Sequence, residues 1–188
     1  KYYSIGVLKD IKIKSSPDWM QKRLLASDIR AINNVVDITN YVLLEYGTPL
    51  HAFDLDKIGN YLCVRRANEG EKLVTLDEVE RSCTTDTVLI STEDKAVCAG
   101  GVFGGANSEV DNNTKNLALE AAYFTPATNR KSARSIGYRS EASSRFEHGV
   151  DMEAVKPGLM RAMQLLVDYA DAKIEGIVET GKNELEPI

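Results

Sequence analysis

One carboxylate lies within a short run of apolar and small residues, and its position makes it a candidate ligand-binding group. The run from Asn116 to Phe124 has the composition of a buried strand. Side chains of a strand alternate between two faces, so Glu120 shares its face with Ala118 and Ala122, which leave space around it. Because a buried charge without a partner is costly, Glu120 either pairs with an arginine in the fold or meets a donor on a ligand.

Polar residues also cluster at a predicted helix over 34–46 and just after it. Asn33, Asp37 and Asn40 are spaced at i, i+4 and i+7 and therefore share one helix face. They form either a solvated face or a polar patch that feeds a pocket. His51 follows the turn that ends this helix, where side chains commonly line clefts, although a histidine among apolar residues is more often a hydrogen-bonded core residue.

A third candidate is the glycine-rich stretch from Gly100 to Gly105, which contains four glycines in six residues. Glycines leave backbone N–H groups uncovered, so this stretch could approach a ligand closely or cradle an anion. It lacks the Lys-Ser/Thr pair of a nucleotide-binding P-loop. The alternative is a bulged, twisted strand without a ligand.

The segment 129–149 is locally basic. It contains five basic residues against two acidic ones, a balance of +3: Arg130, Lys131, Arg134, Arg139 and Arg145 against Glu141 and Glu147. The whole chain is acidic, with 23 Lys and Arg, 28 Asp and Glu, and a net charge of −5. An acidic total argues against a general nucleic-acid coat protein. The segment is therefore either a solvated helix or a local phosphate-contacting rim.

Composition is that of one globular domain. The chain has 188 residues and no apolar run near the roughly 20 residues that span a bilayer. Its three widely spaced cysteines and two histidines indicate reduced, intracellular thiols and no metal site. We interpret residues 1–188 as a single domain cut from a longer polypeptide, with linker-like ends at 1–16 and 181–188.

The patterns predict an α+β fold with layered antiparallel or mixed sheets and packed helices. Strand-to-strand loops are too short for repeated crossover helices, which disfavours a doubly wound sheet. Helices are predicted from Pro17, where Ser16 would be the cap, over 34–46, from Pro126 to about Gly137, and over 152–171. Strands are predicted over 3–8, 61–66, 72–76, 87–91, 96–102, 115–124 and 173–178.

Four strings together carry a resemblance to a known family: 34–41 (NVVDITNY), 49–54 (PLHAFD), 100–105 (GGVFGG) and 145–151 (RFEHGVD). They resemble the central editing domain, the third and fourth modules, of the beta chain of bacterial phenylalanyl-tRNA synthetase. The resemblance covers about 17–178 in the family's order and spacing. It implies an α+β domain that hydrolyses the ester of tyrosine mischarged to the tRNA specific for phenylalanine.

The resemblance implies three groups of site residues. The residues implied for hydrolysis are His51, Thr39 and Asn40. Those implied for substrate binding are Glu120, Gly101, Gly104, Ser140 and Ala142. The tRNA contacts fall on Arg130, Lys131, Arg134 and Arg139. Ser140 stands where relatives often carry threonine, so the hydroxyl is kept. Whether His51 acts as a base or positions the terminal ribose stays open.

The chemistry of these residues fits editing. An apolar pocket rejects an added hydroxyl by only about 10²-fold, whereas a site that hydrogen-bonds the hydroxyl discriminates by about 10⁴ or more. Glu120 would accept the phenol O–H of tyrosine, a glycine N–H would donate to the same oxygen, and the small Ala142 would leave room for the ring.

The resemblance further implies the partners and the setting. The partners are the tRNA acceptor end and an alpha subunit, in a cytoplasmic α2β2 enzyme that uses ATP and magnesium. This domain itself is expected to need no cofactor or metal, and no membrane. Two alternatives remain: a non-catalytic tRNA-docking scaffold of the same chain, and a protein that binds aromatic amino acids.

Overall fold

The computed structural model describes residues 2–181, and its chain packs into two compact units. The first unit comprises residues 2–52, 115–123 and 150–181, and the second comprises 53–114 and 124–149. The interpretation of 1–188 as a single domain stays a prediction. Most of the expected linker-like end, residues 182–188, lies outside the described residues.

Helices and strands alternate irregularly along the chain, as an α+β fold requires. The helices are α1 (Asp18–Leu25), α2 (Asn34–Tyr46), α3 (Leu55–Ile58), α4 (Pro126–Ser135), α5 (Glu141–His148) and α6 (Val155–Ala170). The strands are β1 (Tyr2–Lys9), β2 (Leu50–Asp54), β3 (Cys63–Arg66), β4 (Lys72–Val74), β5 (Glu80–Ser82), β6 (Val88–Ser91), β7 (Ala96–Ala99), β8 (Phe103–Gly104), β9 (Leu117–Tyr123) and β10 (Lys173–Gly181).

A four-stranded sheet in the order β10-β1-β9-β2 forms the first unit together with α1, α2 and α6. Strand β1 is antiparallel to both β9 and β10. Gly6 faces α6, because a Cβ at this position would lie 2.5 Å from the Met163 sulfur. Gly6 pairs with Leu119 and Ile5 pairs with Glu120. Glu120 therefore points to the sheet face opposite α6.

The expectation of a linker-like end over residues 1–16 is wrong for the first strand. Residues 2–9 form β1, which lies between β9 and β10. The local alternation of apolar residues already favoured a strand over 3–8, and pairing on both edges holds it in the sheet. Leu8, at the end of this strand, is fully buried.

The start of α1 differs from its predicted cap. Pro17 occupies the N-cap position, and no side chain caps the helix. The Ser16 hydroxyl instead donates to the Asp37 carboxylate over 2.5 Å. Asp37 also accepts the backbone N–H of Ile32 at 2.8 Å and is buried. It therefore fastens the segment before α2 and does not belong to a ligand-facing patch.

Both ends of α2 follow local rules. The Asn33 side chain caps the helix by accepting the backbone N–H groups of Val35 and Val36, each at 3.0 Å. Gly47 ends the helix in the left-handed conformation with φ of 71°. The predicted bounds 34–46 are confirmed. Two of the three residues in the predicted polar face therefore have structural roles. Asn33 caps α2, and Asp37 holds the segment before it.

The second unit contains the sheet β3-β6-β7-β8, the hairpin β4-β5, and helices α3, α4 and α5. Hydroxyl groups attach α4 to β6. Ser132 Oγ accepts the backbone N–H of Val88 at 3.0 Å, and the hydroxyls of Thr87 and Ser135 lie 2.7 Å apart. These contacts fix the helix that carries part of the basic segment.

Helix α4 ends in a glycine turn that separates it from α5. Gly137 adopts φ of 66°, its N–H donates to the Arg134 carbonyl, and the Tyr138 N–H donates to the Ala133 carbonyl. This hydrogen-bond pair is a Schellman motif, which satisfies carbonyls at the helix end. The basic segment is therefore divided between two helices.

Replacing Gly137 with alanine should lower the free energy of unfolding by about 1 kcal/mol, because the left-handed conformation disfavours a Cβ. An added Cβ would meet no atom within 4 Å, so backbone strain is the whole effect. Urea unfolding of the chain and of the variant measures the difference. A loss of several kcal/mol would contradict this assignment.

The predicted α+β class with antiparallel sheets and packed helices is confirmed. Within residues 2–181, no helix has the length and apolar character that crossing a membrane requires.

Candidate functional site

Glu120 lies in the middle of β9, an interior strand of the first sheet, and only 5% of it is exposed. Its neighbours on the strand, Ala118 and Ala122, are buried and small. One carboxyl oxygen, Oε2, makes no hydrogen bond within residues 2–181, and no arginine in that range pairs with the group. The carboxyl group is thus sequestered from water with an acceptor left unsatisfied, which is rare in folded proteins.

Burial raises the pKa of Glu120 from its ordinary value of 4.5 to about 8, and a contact with the Tyr3 hydroxyl lowers it by a smaller amount. At neutral pH the group is mostly a neutral acid. A neutral carboxyl has one O–H donor and keeps its carbonyl acceptor. It can therefore both accept a hydrogen bond from a hydroxyl and donate one to it, which extends the acceptor-only role expected from the sequence.

His51 lies on β2, beside β9 in the sheet, and is half-buried. Burial lowers the pKa of His51 to about 4, so the ring is neutral near pH 7. A neutral imidazole has one donor and one acceptor nitrogen. With a pKa that far below neutral, it is a weak base and a better hydrogen-bonding group for positioning.

Thr39 and Asn40 follow one another on the second turn of α2, and both are half-buried. The Thr39 hydroxyl donates to the Val36 carbonyl of the same helix at 2.8 Å. Its oxygen lone pairs remain as acceptors for a water or a hydroxyl group. Thr39, Asn40, His51 and Glu120 all belong to the first unit.

The glycine-rich stretch forms a tight turn between two strands of the second unit. The predicted single strand over 96–102 is wrong at its end, because β7 stops at Ala99 and the chain reverses into β8. The Val102 N–H donates to the Ala99 carbonyl at 2.9 Å, and Gly101 has φ of 68°. Gly104 is buried, pairs with Cys98 in the sheet, and accepts the Leu76 N–H at 3.1 Å.

Gly101 is closely surrounded, and its neighbour Asn129 is a buried polar residue that the sequence did not single out. Asn129 Nδ2 donates to the Gly101 carbonyl at 3.0 Å. The Asn129 side chain is 1% exposed, and its Oδ1 makes no hydrogen bond within the described residues. The available signal was its helical spacing with Ser132 and Ala133, which marks the buried face of α4.

Ser140 and Ala142 lie at the start of α5, also in the second unit. Ser140 is the N-cap, and its hydroxyl accepts the Ser143 N–H at 3.0 Å. The same hydroxyl donates to the Val102 carbonyl at 2.7 Å, which ties α5 to the glycine turn. Ala142 is half-buried. The geometry gives Ser140 a structural role, and its contact with substrate stays a prediction.

The four residues predicted to contact tRNA are all exposed on α4 and the loop after it. Arg130 donates to the Glu147 carbonyl at 3.3 Å, and Arg139 lies 3.8 Å from the Glu147 carboxylate. Lys131 and Arg134 make no ion pair or side-chain hydrogen bond with any described residue. This surface is suited to anions, and its role in tRNA binding stays a prediction.

Metal ligands do not cluster in the part of the chain that the structure describes: no three His, Cys, Asp or Glu side chains there come close enough to hold an ion.

The chain is similar over nearly its whole length to proteins named phenylalanine–tRNA ligase beta subunit. The one from Halalkalibacterium halodurans is 51% identical over 187 residues, which are 98% of this chain and 23% of the relative. The one from Carboxydothermus hydrogenoformans is 47% identical over 171 residues, 90% of this chain and 21% of the relative. The chain thus spans under a quarter of the length of these relatives.

The fold is similar to a crystal structure of an N-terminal fragment of the phenylalanyl-tRNA synthetase beta subunit from Pyrococcus horikoshii. The TM-score is 0.59 at 13% identity, over 96% of this chain and 50% of the other. At this identity the likeness supports the fold alone.

These relatives confirm the resemblance to the beta chain of phenylalanyl-tRNA synthetase that the four strings indicated. The profile of the B3/4 domain matches residues 1–171. The chain belongs to the B3/4 domain family.

Proposed function

We propose that this chain is the editing domain of a phenylalanine–tRNA ligase and hydrolyses the ester of tyrosyl-tRNA specific for phenylalanine. The observation that supports it most is the buried, unsatisfied carboxyl group of Glu120. The chain's relatives are named as beta subunits of phenylalanine–tRNA ligase, and phenylalanine differs from tyrosine by one hydroxyl.

Glu120 would recognise the phenol of tyrosine. The phenol hydroxyl can donate to one carboxyl oxygen and accept the carboxyl proton, which pairs the Oε2 atom that is otherwise unsatisfied. Phenylalanine offers no hydrogen bond and would leave the acid desolvated. A site of this kind discriminates by about 10⁴ or more, because the wrong ligand leaves polar groups unpaired.

Hydrolysis would use a bound water and no covalent intermediate. The water oxygen forms a bond to the ester carbonyl carbon, the ester C–O bond breaks, and a proton passes to the ribose oxygen. His51, neutral at pH 7, would orient the water or the terminal ribose, and Thr39 and Asn40 would supply further hydrogen bonds. The low pKa of His51 favours this positioning role over that of a general base.

The residues of the glycine-rich stretch and of the start of α5 would assist substrate binding. Gly101 and Gly104 are the proposed backbone contacts, Ser140 would contact the substrate through its hydroxyl, and Ala142 would leave room for the aromatic ring.

The wider assembly is part of the same proposal. An alpha subunit would complete a cytoplasmic α2β2 ligase, which would use ATP and magnesium in its synthetic reaction outside this domain. The acceptor end of the tRNA would carry the mischarged tyrosine to this domain, with Arg130, Lys131, Arg134 and Arg139 as contacts.

The test is deacylation of preformed tyrosyl-tRNA by the intact two-subunit ligase. Glu120→Ala should slow hydrolysis about 100-fold, the value of losing a hydrogen bond in a desolvated site. Glu120→Gln should slow it less, because an amide keeps one acceptor and a donor. Charging with phenylalanine should be unchanged in both variants, and Glu93→Ala, at an exposed turn, should retain normal deacylation.

Two results would oppose the proposal in different ways. If Glu120→Ala clears tyrosyl-tRNA at the normal rate, Glu120 has no part in recognition. If tyrosyl-tRNA is hydrolysed no faster with the wild-type ligase than in buffer alone, the non-catalytic scaffold is the better description.

A further inference from the structure

The Tyr3 side chain lies on the face of the first sheet that carries Glu120. Gly6 faces α6, and the alternation of a strand places Tyr3, three residues earlier, on the opposite face. In the pairing of β1 with β9, Tyr3 is opposite Ala122, which is two residues from Glu120. Tyr3 and Glu120 are therefore diagonal neighbours, and an aromatic side chain can bridge the separation of about 7–8 Å between such positions.

The Tyr3 side chain reaches from a partly exposed ring to a buried hydroxyl. Along residues 3–8 of β1, the positions that face α6 are buried and the alternate positions, including Tyr3, are half-buried. The hydroxyl oxygen of Tyr3 is nevertheless buried. Its contact with Glu120 lowers the pKa of the carboxyl group, against the larger rise that burial causes. A hydroxyl has this effect when it offers its O–H to the charged form of the acid.

This contact uses only part of the hydrogen-bonding capacity of Glu120. The Oε2 atom still makes no hydrogen bond within residues 2–181. The last torsion of a glutamate side chain has broad, weakly preferred minima, so a carboxyl group without a fixed neighbour turns easily. A donor held in place by β1 restricts that rotation, and the unsatisfied oxygen is then presented in one direction.

We propose that Tyr3 is a positioning residue that sets the specificity of this site: its hydroxyl holds the Glu120 carboxyl group in the orientation in which Oε2 meets the phenol of the mischarged tyrosine. The inference rests on the proposed function for the identity of this ligand. Tyr3 acts through Glu120 and needs no contact with the ester. Without the Tyr3 hydroxyl, the carboxyl group must be ordered when the tyrosine binds, which costs conformational entropy and weakens recognition.

The test is a double-mutant cycle in the intact two-subunit ligase, with deacylation of preformed tyrosyl-tRNA as the measurement. Tyr3→Phe keeps the ring and removes the hydroxyl, and it should lower kcat/KM about tenfold. In the Glu120→Ala background the same change should lower kcat/KM less than about twofold, because a residue that acts through Glu120 has no effect once the carboxyl group is absent. Tyr2→Phe is the matched control and should deacylate normally, since the Tyr2 hydroxyl donates to the exposed Glu179 at 2.5 Å.

The ionisation of Glu120 supplies a second readout that needs no substrate. With ¹³C at the glutamate carboxyl carbons, an NMR titration of the chain should show the Glu120 transition at a pH of about 8. Tyr3→Phe should move this transition to higher pH, because the charged form loses a donor. Tyr2→Phe should leave it in place, and Glu120→Gln identifies the signal by removing it.

Equal losses from Tyr3→Phe with and without the Glu120 carboxyl group would overturn the inference, since Tyr3 would then act on the structure in general. Unchanged deacylation, or an unmoved titration, would overturn it as well. Faster deacylation would do the same, because the Tyr3 hydroxyl would then be a competitor of the substrate. If Glu120→Ala itself has no effect, the proposed function fails together with the inference. If Glu120→Ala slows hydrolysis and Tyr3→Phe does not, only the inference fails.

Discussion

At pH 9, a Glu120→Gln variant of this chain should unfold with a free energy about 4 kcal/mol larger than the wild-type chain. At pH 5 the two should differ by less than about 1 kcal/mol. The variant removes a charge that forms in the buried carboxyl group at high pH, and it keeps the side-chain size.

The direction follows from the two pKa values. The folded-state pKa of Glu120, about 8, lies above its ordinary value of 4.5. The folded chain therefore keeps a proton that the unfolded chain releases above pH 4.5. The stability linked to this proton is complete below pH 4.5 and is lost as the pH rises through 8. Glutamine is uncharged throughout this range and has no such loss.

Urea unfolding at pH 5, 7 and 9 would measure the effect, with the stability difference increasing at each step. Glu93→Gln provides the control, because Glu93 is exposed and its charge is solvated in both states. A Glu120→Gln difference that is the same at pH 5 and pH 9 would show that the carboxyl group does not titrate in a buried setting.

Gly101→Ala should lower the free energy of unfolding by about 3 kcal/mol, the sum of backbone strain and crowding. The backbone has φ of 68°, and an added Cβ would lie 2.5 Å from Asn129 Nδ2 and 2.8 Å from the Phe124 ring. Phe146 is also within 3.1 Å, so the methyl group has no direction in which to move. The Asn129 hydrogen bond to the Gly101 carbonyl would be displaced.

Gly137→Ala is the matched control for this effect. Its φ of 66° is nearly the same, but no atom lies within 4 Å of the added Cβ. Urea unfolding of both variants separates the two contributions, because their difference is the crowding alone. Equal losses would mean that the turn at Gly101 is not packed as described.

Local signals were sufficient for much of the fold. Gly47 ended α2 where the sequence predicted, since a left-handed glycine needs no distant partner. The alternation of side chains around Glu120 predicted its strand and the alanines on the same face, because the alternation depends only on neighbouring residues. The pairing of β1 with β9 and β10 joins distant residues and was not predicted from the sequence, so residues 2–9 were partly interpreted as a linker.

The remaining features depend on contacts between distant residues. Ser16 is a residue type that commonly caps helices, but its hydroxyl donates to the carboxylate of Asp37, 21 residues later. The turn at Gly101 is held by Asn129, 28 residues away. Helical spacing could place Asn129 on the buried face of α4, but it could not predict the hydrogen bond to Gly101. For Glu120, the sequence left arginine pairing open, and only the fold shows a carboxyl oxygen without a partner among the described residues.

The contact between Gly6 and Met163 has a consequence for chemical damage to the chain. The thioether sulfur occupies the space that any side chain at position 6 would need, and Met163 is 1% exposed. Oxidation adds an oxygen atom and a strong dipole to that sulfur, and neither has room while α6 rests on β1. The sulfoxide can therefore form only during moments when the helix lifts from the sheet, and its rate of appearance records how often they separate.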